Sequence, residues 1–339
     1  MVENAIDALC ADLVADGVAP TATAGWAARR GDQWEVSVGG ATRAIFDLAS
    51  VTKPITALTL ARSSVEGATP LRKLLPEAEG TPCAEASVEL LLAHRAGLEA
   101  HVSLYRELAE GRPFDRAAAL MEALRSRRPE CVGPIPAKGF APVYSDLGYA
   151  LLGEAMKRRD VPALDLGPEI GSASALRAAN VDFDARVVPT EIVAWRGGEI
   201  RGQVHDENAW ALNGDGLSGH AGMFGTIDAV LRFGTLAHDA IASDASLEWL
   251  VRPRPGGTLR AGFDGKSEEG SSAGSRCGAR TYGHLGFTGT SLWIDPDAQV
   301  VVALLTNRVH PTRENTKIRA ARPRIHDALF ALAAAATNG

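Results

Sequence analysis

The sequence predicts a mixed α/β protein of the α+β type: one antiparallel sheet flanked by the two terminal helices, with a mostly helical lobe inserted. Three observations lead there. Strand-like runs occur near both ends of the chain, an amphipathic helix opens it and another closes it, and the middle is made of helical pieces broken by Gly/Pro loops. Strands from the two ends can pair into one sheet, and the terminal helices can cover one of its faces. A cleft between such a sheet and a helical lobe is a common place for an active site.

The elements follow in order. Ile6, Leu9, Leu13 and Val14 recur at helical spacing. Residues 21–28 and 34–38 flank Arg30-Gly31-Asp32 and read as a hairpin. Residues 45–48 form a short apolar run that ends at Ala49-Ser50, and the pattern then turns helical to Glu66, with Pro54 in its first turn. Between about Ser87 and Phe233 the helical pieces include Leu90 to Leu92 and Leu147 to Met156. Residues 253–283, rich in Gly, Ser and Arg, read as a long loop. Residues 286–294 and 299–306 read as strands joined at Asp295-Pro296-Asp297, and residues 318–335 as the closing helix. The sheet part is thus expected from about 1–66 and 253–339, and the helical part from about 67–252, as one domain.

Composition narrows the function. With 339 residues, 46% hydrophobic and 22% charged, the chain has the makings of a sizeable core. A net charge of −6 offers no excess cation for phosphates, so nucleic acid is not an expected partner. Arg125, Arg127 and Arg128 read as a helix end. The four cysteines are scattered without a CxxC pair, so neither a zinc site nor a disulfide framework is expected. No apolar run reaches membrane-spanning length, and the acidic start MVENAIDALCADLVADG lacks the basic and apolar parts of a secretory signal. The expectation is a cytoplasmic protein with no membrane partner, no metal and no cofactor.

Three segments carry chemistry. Ser50-Val51-Thr52-Lys53 is the one SxxK of the chain. On a helix, residues three apart share a face, so the lysine amine reaches the serine hydroxyl. A serine at a helix start also has free backbone N–H groups around it, which favour a developing oxyanion. Alone, the pattern is weak and is better read as a plain cap and a surface lysine. Tyr144-Ser145-Asp146 opens a helix, with Ser or Asp as its cap and Tyr144 as a proton relay. His284-Leu285-Gly286-Phe287-Thr288-Gly289-Thr290 leads into a strand whose Phe287 N–H suits a second oxyanion donor.

Together these resemble the active-site set of the serine β-lactamase and penicillin-binding-protein family, in the branch of class C β-lactamases, D-Ala-D-Ala carboxypeptidases and related esterases. FDLASVTKPITAL, LLAHRAGL, YSDLGYALLGE, HDENAWAL, SGHAGMFGT, GHLGFTGTSLWIDP and LLTNRVHP resemble that family's segments, in its order, from about residue 20 to the end. The resemblance implies a β-lactamase-like fold and an acyl-enzyme on Ser50. It implies that Lys53 and Tyr144 share the acid and base roles, and that the Ser50 and Phe287 N–H groups hold the oxyanion. Asp146, His284 and Gly286 then line the substrate side. The implied substrate is a small ester, amide or β-lactam.

Two residues depart from the pattern. Asp146 stands where the family often has Asn, and a carboxylate there is expected to hold Lys53 protonated and shift weight to Tyr144. Leu285 stands where Thr often helps hold a substrate carboxylate, which favours an ester or amide without that group. The stretches after Gly67 and Glu154 are also short for the family. The alternative is a penicillin-recognising protein that binds or senses without turnover.

Other patterns carry little. The GxSxG at 270–274 lies in the Gly/Ser loop, and the GxGxxG at 214–219 lacks the preceding strand and following helix that dinucleotide binding needs. His205, Asp206 and Glu207 are consecutive, a poor arrangement for one metal, and His94 and His220 read as loop-pinning residues.

Overall fold

The computed structural model describes residues 2–337. Its six-stranded sheet uses β1 (Ala22–Arg30), β2 (Gln33–Gly40), β3 (Asp264–Gly265), β4 (Tyr282–Leu285), β5 (Ser291–Asp295) and β6 (Val300–Thr306). The strand order is β2-β1-β6-β5-β4-β3, with every pairing antiparallel. The first strand of the chain therefore pairs with the last, Ala22 opposite Thr306 and Ala28 opposite Val300.

Six helices frame this sheet and the site: α1 (Val2–Ala15), α2 (Thr52–Ala61), α3 (Asp146–Arg158), α4 (Glu207–Asn213), α5 (Ile227–Ser243) and α6 (Ile318–Thr337). Side chains alternate across a strand, and β6 uses both faces. Val300, Val302 and Leu304 join the core under α1 and α6, with Ile6, Leu13, Trp26, Ile325 and Leu329. Val301, Ala303 and Leu305 join the core under α5, with Leu231, Phe233 and Ala237. That double burial is why residues 300–305 read as an unbroken apolar run. The two terminal helices share one face, as the sequence predicts.

Three local expectations are corrected. Of the strand expected over 286–294 only 291–294 is strand, as part of β5; residues 286–290 form a tight turn that joins it to β4. Gly286 N–H bonds the Thr290 carbonyl (2.7 Å), Gly289 N–H bonds the Gly286 carbonyl (3.1 Å), and Gly289 takes φ 111°, open only to glycine. The helix expected to Glu66 stops at Ala61. There the Ser63 hydroxyl bonds the Leu60 carbonyl and accepts from Val65 N–H, ending the helical ladder. Arg125 alone of its trio lies on the helix. Arg127 and Arg128 instead donate to the carbonyls of Gly133 and Ala141 and so pin the following loop. Residues 253–283 are mostly irregular, as expected, apart from β3 and the start of β4.

Candidate active site

Site geometry begins with the turn before α2. Residues Phe46–Asp47 pair with Met223–Gly225, which fixes the entry to this turn. A short 3-10 turn over Ala49–Val51 then hands the chain to α2. Nine of the ten α2 residues are buried, so Lys53 points inward and is 0% exposed. Its Nζ donates to Ser50 Oγ (2.9 Å) and to the His220 carbonyl (3.3 Å), and pairs with Asp146 Oδ1 (2.6 Å). The spacing of three does what the sequence reading expects of it.

Tyr144 comes from the extended segment ahead of α3. Its ring stacks on His94 (centroids 4.6 Å apart), and Lys53 Nζ lies 4.8 Å from its centroid. Its hydroxyl interacts with both Lys53 and Ser50. Ser145 caps α3 by position, but its hydroxyl is used elsewhere, on the Glu99 carbonyl (2.6 Å). Its N–H donates to His94 Nδ1 (3.0 Å), so the loop-pinning role expected of His94 holds, and it also sets where Tyr144 sits.

Electrostatics at this centre follow from burial and one ion pair. Burial alone would lower the Lys53 pKa, but the Asp146 carboxylate and the Tyr144 oxygen outweigh it and hold the ammonium charged well above the usual lysine range. Burial would raise Asp146, yet Lys53 and His220 hold it below the usual carboxylate range. Burial of the phenol and the nearby Asp146 push Tyr144 up against the pull of Lys53. Tyr144 as a whole remains 36% exposed and lines the cleft. Both histidines beside the centre are neutral: burial and Lys53 push His94 and His284 down to about 3. His284 Nδ1–H donates to the Leu285 carbonyl (2.8 Å).

A cleft of about 440 Å³ opens onto Ser50 and is lined by Tyr144, Asp146, Leu285, Gly286 and Phe287 among others. A wider groove of about 860 Å³ around Arg62, Ser63 and Arg158 shares none of its residues. Among the described residues, the backbone N–H groups of Ser50 and Phe287 have no hydrogen-bond acceptor. Gly286 is required in the turn between them, because a Cβ there would overlap the Thr290 hydroxyl and the Leu48 carbonyl. Among the sequence-derived candidates, two are absent from the cleft wall: Lys53, fully buried against the Ser50 hydroxyl, and His284. His284 lies behind Tyr144, at 6.0 Å between ring centroids.

Several wall residues were given no part in the site by the sequence. Arg308 donates to the Phe287 carbonyl (2.9 Å) and lies over its ring (4.5 Å), while His205 stacks on the same ring at 5.6 Å. Arg322 donates to the Gly286 and Thr290 carbonyls (2.7 and 2.8 Å), and burial lowers its pKa to about 10. Asp206 accepts from the Ala209 N–H at the start of α4 (2.8 Å) and from His220 Nε2–H (2.9 Å). Arg319 and Arg313 complete this wall.

The three consecutive residues set aside as poor metal ligands turn to three different partners: His205 to Glu191, Asp206 to His220 and Glu207 to Arg313. No group of three or more His, Cys, Asp or Glu side chains is gathered for a metal among the described residues. All four cysteines are buried free thiols, and burial pushes Cys10 and Cys83 up to about 12. Among the described residues no helix is long and apolar enough to cross a membrane.

Comparison with known proteins adds the following. The Beta-lactamase family model matches residues 6–324. A putative D-alanyl-D-alanine carboxypeptidase of Salmonella paratyphi B is 27% identical over 257 residues, 67% of this chain and 58% of that protein. The chain thus matches a little over half the length of such relatives. The fold is similar to a class C beta lactamase from Rhodobacter sphaeroides (TM-score 0.63, 16% identity, 96% of this chain and 99% of that one). It is also similar to EstCE1, a hydrolase with promiscuous acyltransferase activity (TM-score 0.65, 17% identity, 97% and 98%).

Proposed function

The chain belongs to the beta-lactamase family, and from that premise we propose that it is a serine hydrolase that acylates Ser50. The observation that carries the reading is the fully buried Lys53 holding the Ser50 hydroxyl at 2.9 Å on the wall of an open cleft. In this reading Ser50 Oγ attacks the substrate carbonyl, and its proton passes to the Lys53–Tyr144 pair. The Ser50 and Phe287 N–H groups receive the oxyanion. Tyr144 then returns the proton to the leaving group, and water releases the acyl group from Ser50 by the reverse relay.

Substrate choice follows from the wall. Leu285 presents an aliphatic side chain where a hydroxyl would hold a substrate carboxylate, so a small ester or amide without that group ranks first. β-Lactams rank second, and D-alanyl-D-alanine peptides, the substrates that the Salmonella relative's name implies, rank third. The test is intact-mass spectrometry after mixing with an activated acetyl or butyryl ester, and separately with a penicillin. A transient adduct of acyl mass on the Ser50 peptide is expected from the ester. An unmodified chain with both reagents would sink the proposal. A penicillin adduct that never clears would favour the binding or sensing alternative.

The Lys53–Asp146 pair gives this reading a pH signature. At rest both Lys53 and Tyr144 carry their protons, so the form able to accept the Ser50 proton has one proton fewer and is scarce at neutral pH. Turnover is expected to climb with pH from 6 to 10. Asp146→Asn removes the carboxylate that raises Lys53 and leaves burial, which lowers it. The rising limb of kcat/KM should therefore move to lower pH, with about a tenfold gain at pH 7 for each unit moved. Activity lost equally at every pH would instead make Asp146 the proton acceptor.

A further inference from the structure

Asp47 lies three residues before Ser50, is 2% exposed, and has no role in the steps above. Its carboxylate is divided between two distant pieces of backbone. Oδ1 accepts the Ala49 N–H (2.8 Å), and Oδ2 accepts the His205 N–H (2.8 Å). The first bond ends at Ala49, whose φ of 46° lies in the left-handed region that alanine disfavours. The second reaches 158 positions along the chain, beyond any local cap.

The main chain beside it is committed as well. The Asp47 carbonyl accepts the Thr288 hydroxyl (2.7 Å), and the Leu48 carbonyl accepts the Thr290 hydroxyl (2.9 Å). Thr288 and Thr290 bracket the turn that follows Phe287. Four hydrogen bonds that involve a side chain therefore converge on Asp47-Leu48 from three segments: the Ser50 turn, the Phe287 turn and the His205–Asp206 loop. No cation pairs with the carboxylate among the described residues. Burial and Asp206 act to raise its pKa, and the donated N–H groups and His205 act to lower it. A buried acid without a cation is costly to keep, and here both of its oxygens are spent on backbone that carries the site.

We propose that Asp47 is a positioning residue: its carboxylate and its carbonyl together set the separation and aim of the Ser50 and Phe287 N–H groups as one oxyanion hole. The proposal rests on the serine-hydrolase reading. Asp47→Asn keeps the shape but turns one oxygen into a donor, which faces the N–H of Ala49 or of His205 and releases that segment. Thr288→Val cuts the link to the Phe287 turn, and Thr288→Ser keeps it.

The experiment measures kcat and KM for p-nitrophenyl acetate and the rate of Ser50 labelling by a fluorophosphonate, with melting curves showing which variants are folded. Misplaced oxyanion donors act on the transition state rather than on binding. Asp47→Asn is expected to lower kcat about 30-fold, with KM changed less than about twofold. Thr288→Val is expected to lower kcat about tenfold, and Thr288→Ser to restore it to within about threefold. If Asp47→Asn does not fold, the Thr288 pair decides alone. Unchanged kcat in the folded variants, or a rise in KM with kcat intact, overturns the positioning role while Ser50 labelling in the parent keeps the hydrolase reading. No labelling of Ser50 in the parent protein overturns both.

Discussion

Ser50→Ala is expected to lower ester turnover by about 10⁴-fold or more while leaving the protein folded. The hydroxyl removed is the one Lys53 holds at 2.9 Å on the cleft wall. What survives is the shaped cleft with its two free N–H groups, which in comparable sites gives a small residual acceleration without a nucleophile. Lys53 keeps its bond to the His220 carbonyl and its pair with Asp146, so no charge is orphaned and the stability change should stay within about 1 kcal/mol. The measurement is p-nitrophenyl acetate hydrolysis beside a thermal melt of the same preparation. A variant that hydrolyses the ester as fast as its parent would place the nucleophile elsewhere, and the Lys53–Tyr144 arrangement would then need another purpose. Equal inactivity of both proteins would turn attention to the binding alternative.

What the sequence could say about this centre depended on how local each signal is. Ser50 and Lys53 are bound by helical spacing alone, so their contact was legible from four letters. Tyr144 was legible through its neighbours in the family's order of segments. Residues 286–290 were misjudged as the start of a strand, because Phe287, Thr288 and Thr290 have strand propensity while the turn depends on the glycines at 286 and 289 closing on Thr290. Arg308 and Arg322 gave no local pattern. They act on the carbonyls of Phe287, Gly286 and Thr290 from β6's end and from α6, and only the sheet order brings them there. Asp47 was hidden for the same reason: its second partner, His205, is remote in sequence. Asp146 shows the opposite case. Its charge effect on Lys53 was expected from the substitution itself, and the 2.6 Å pair with its raised lysine fits that expectation.

That pair also carries a large expected stability effect. Lys53→Met removes a cation that is fully buried and leaves the Asp146 carboxylate facing it alone, with Oδ1 among the buried polar atoms. Breaking a buried pair from one side costs about 3–5 kcal/mol, and the 22% exposure of the Asp146 side chain puts this case near the lower figure. The double change Lys53→Met with Asp146→Leu should recover most of the loss, because no charge is then left behind. Urea unfolding of the parent and both variants measures this, and a single variant as stable as its parent would mean that Asp146 finds water or another partner. The pH dependence has a definite sign. Lys53, raised in the fold, contributes stability that is present below the unfolded lysine value of about 10.4 and is lost as pH rises through its folded value. Asp146, depressed in the fold, contributes stability that is present above the unfolded aspartate value of about 3.9 and is lost as pH falls through its folded value. The gap between parent and Lys53→Met should therefore be widest between about pH 5 and pH 10 and should close in acid, where the lone carboxyl of the variant takes up a proton and sheds its penalty.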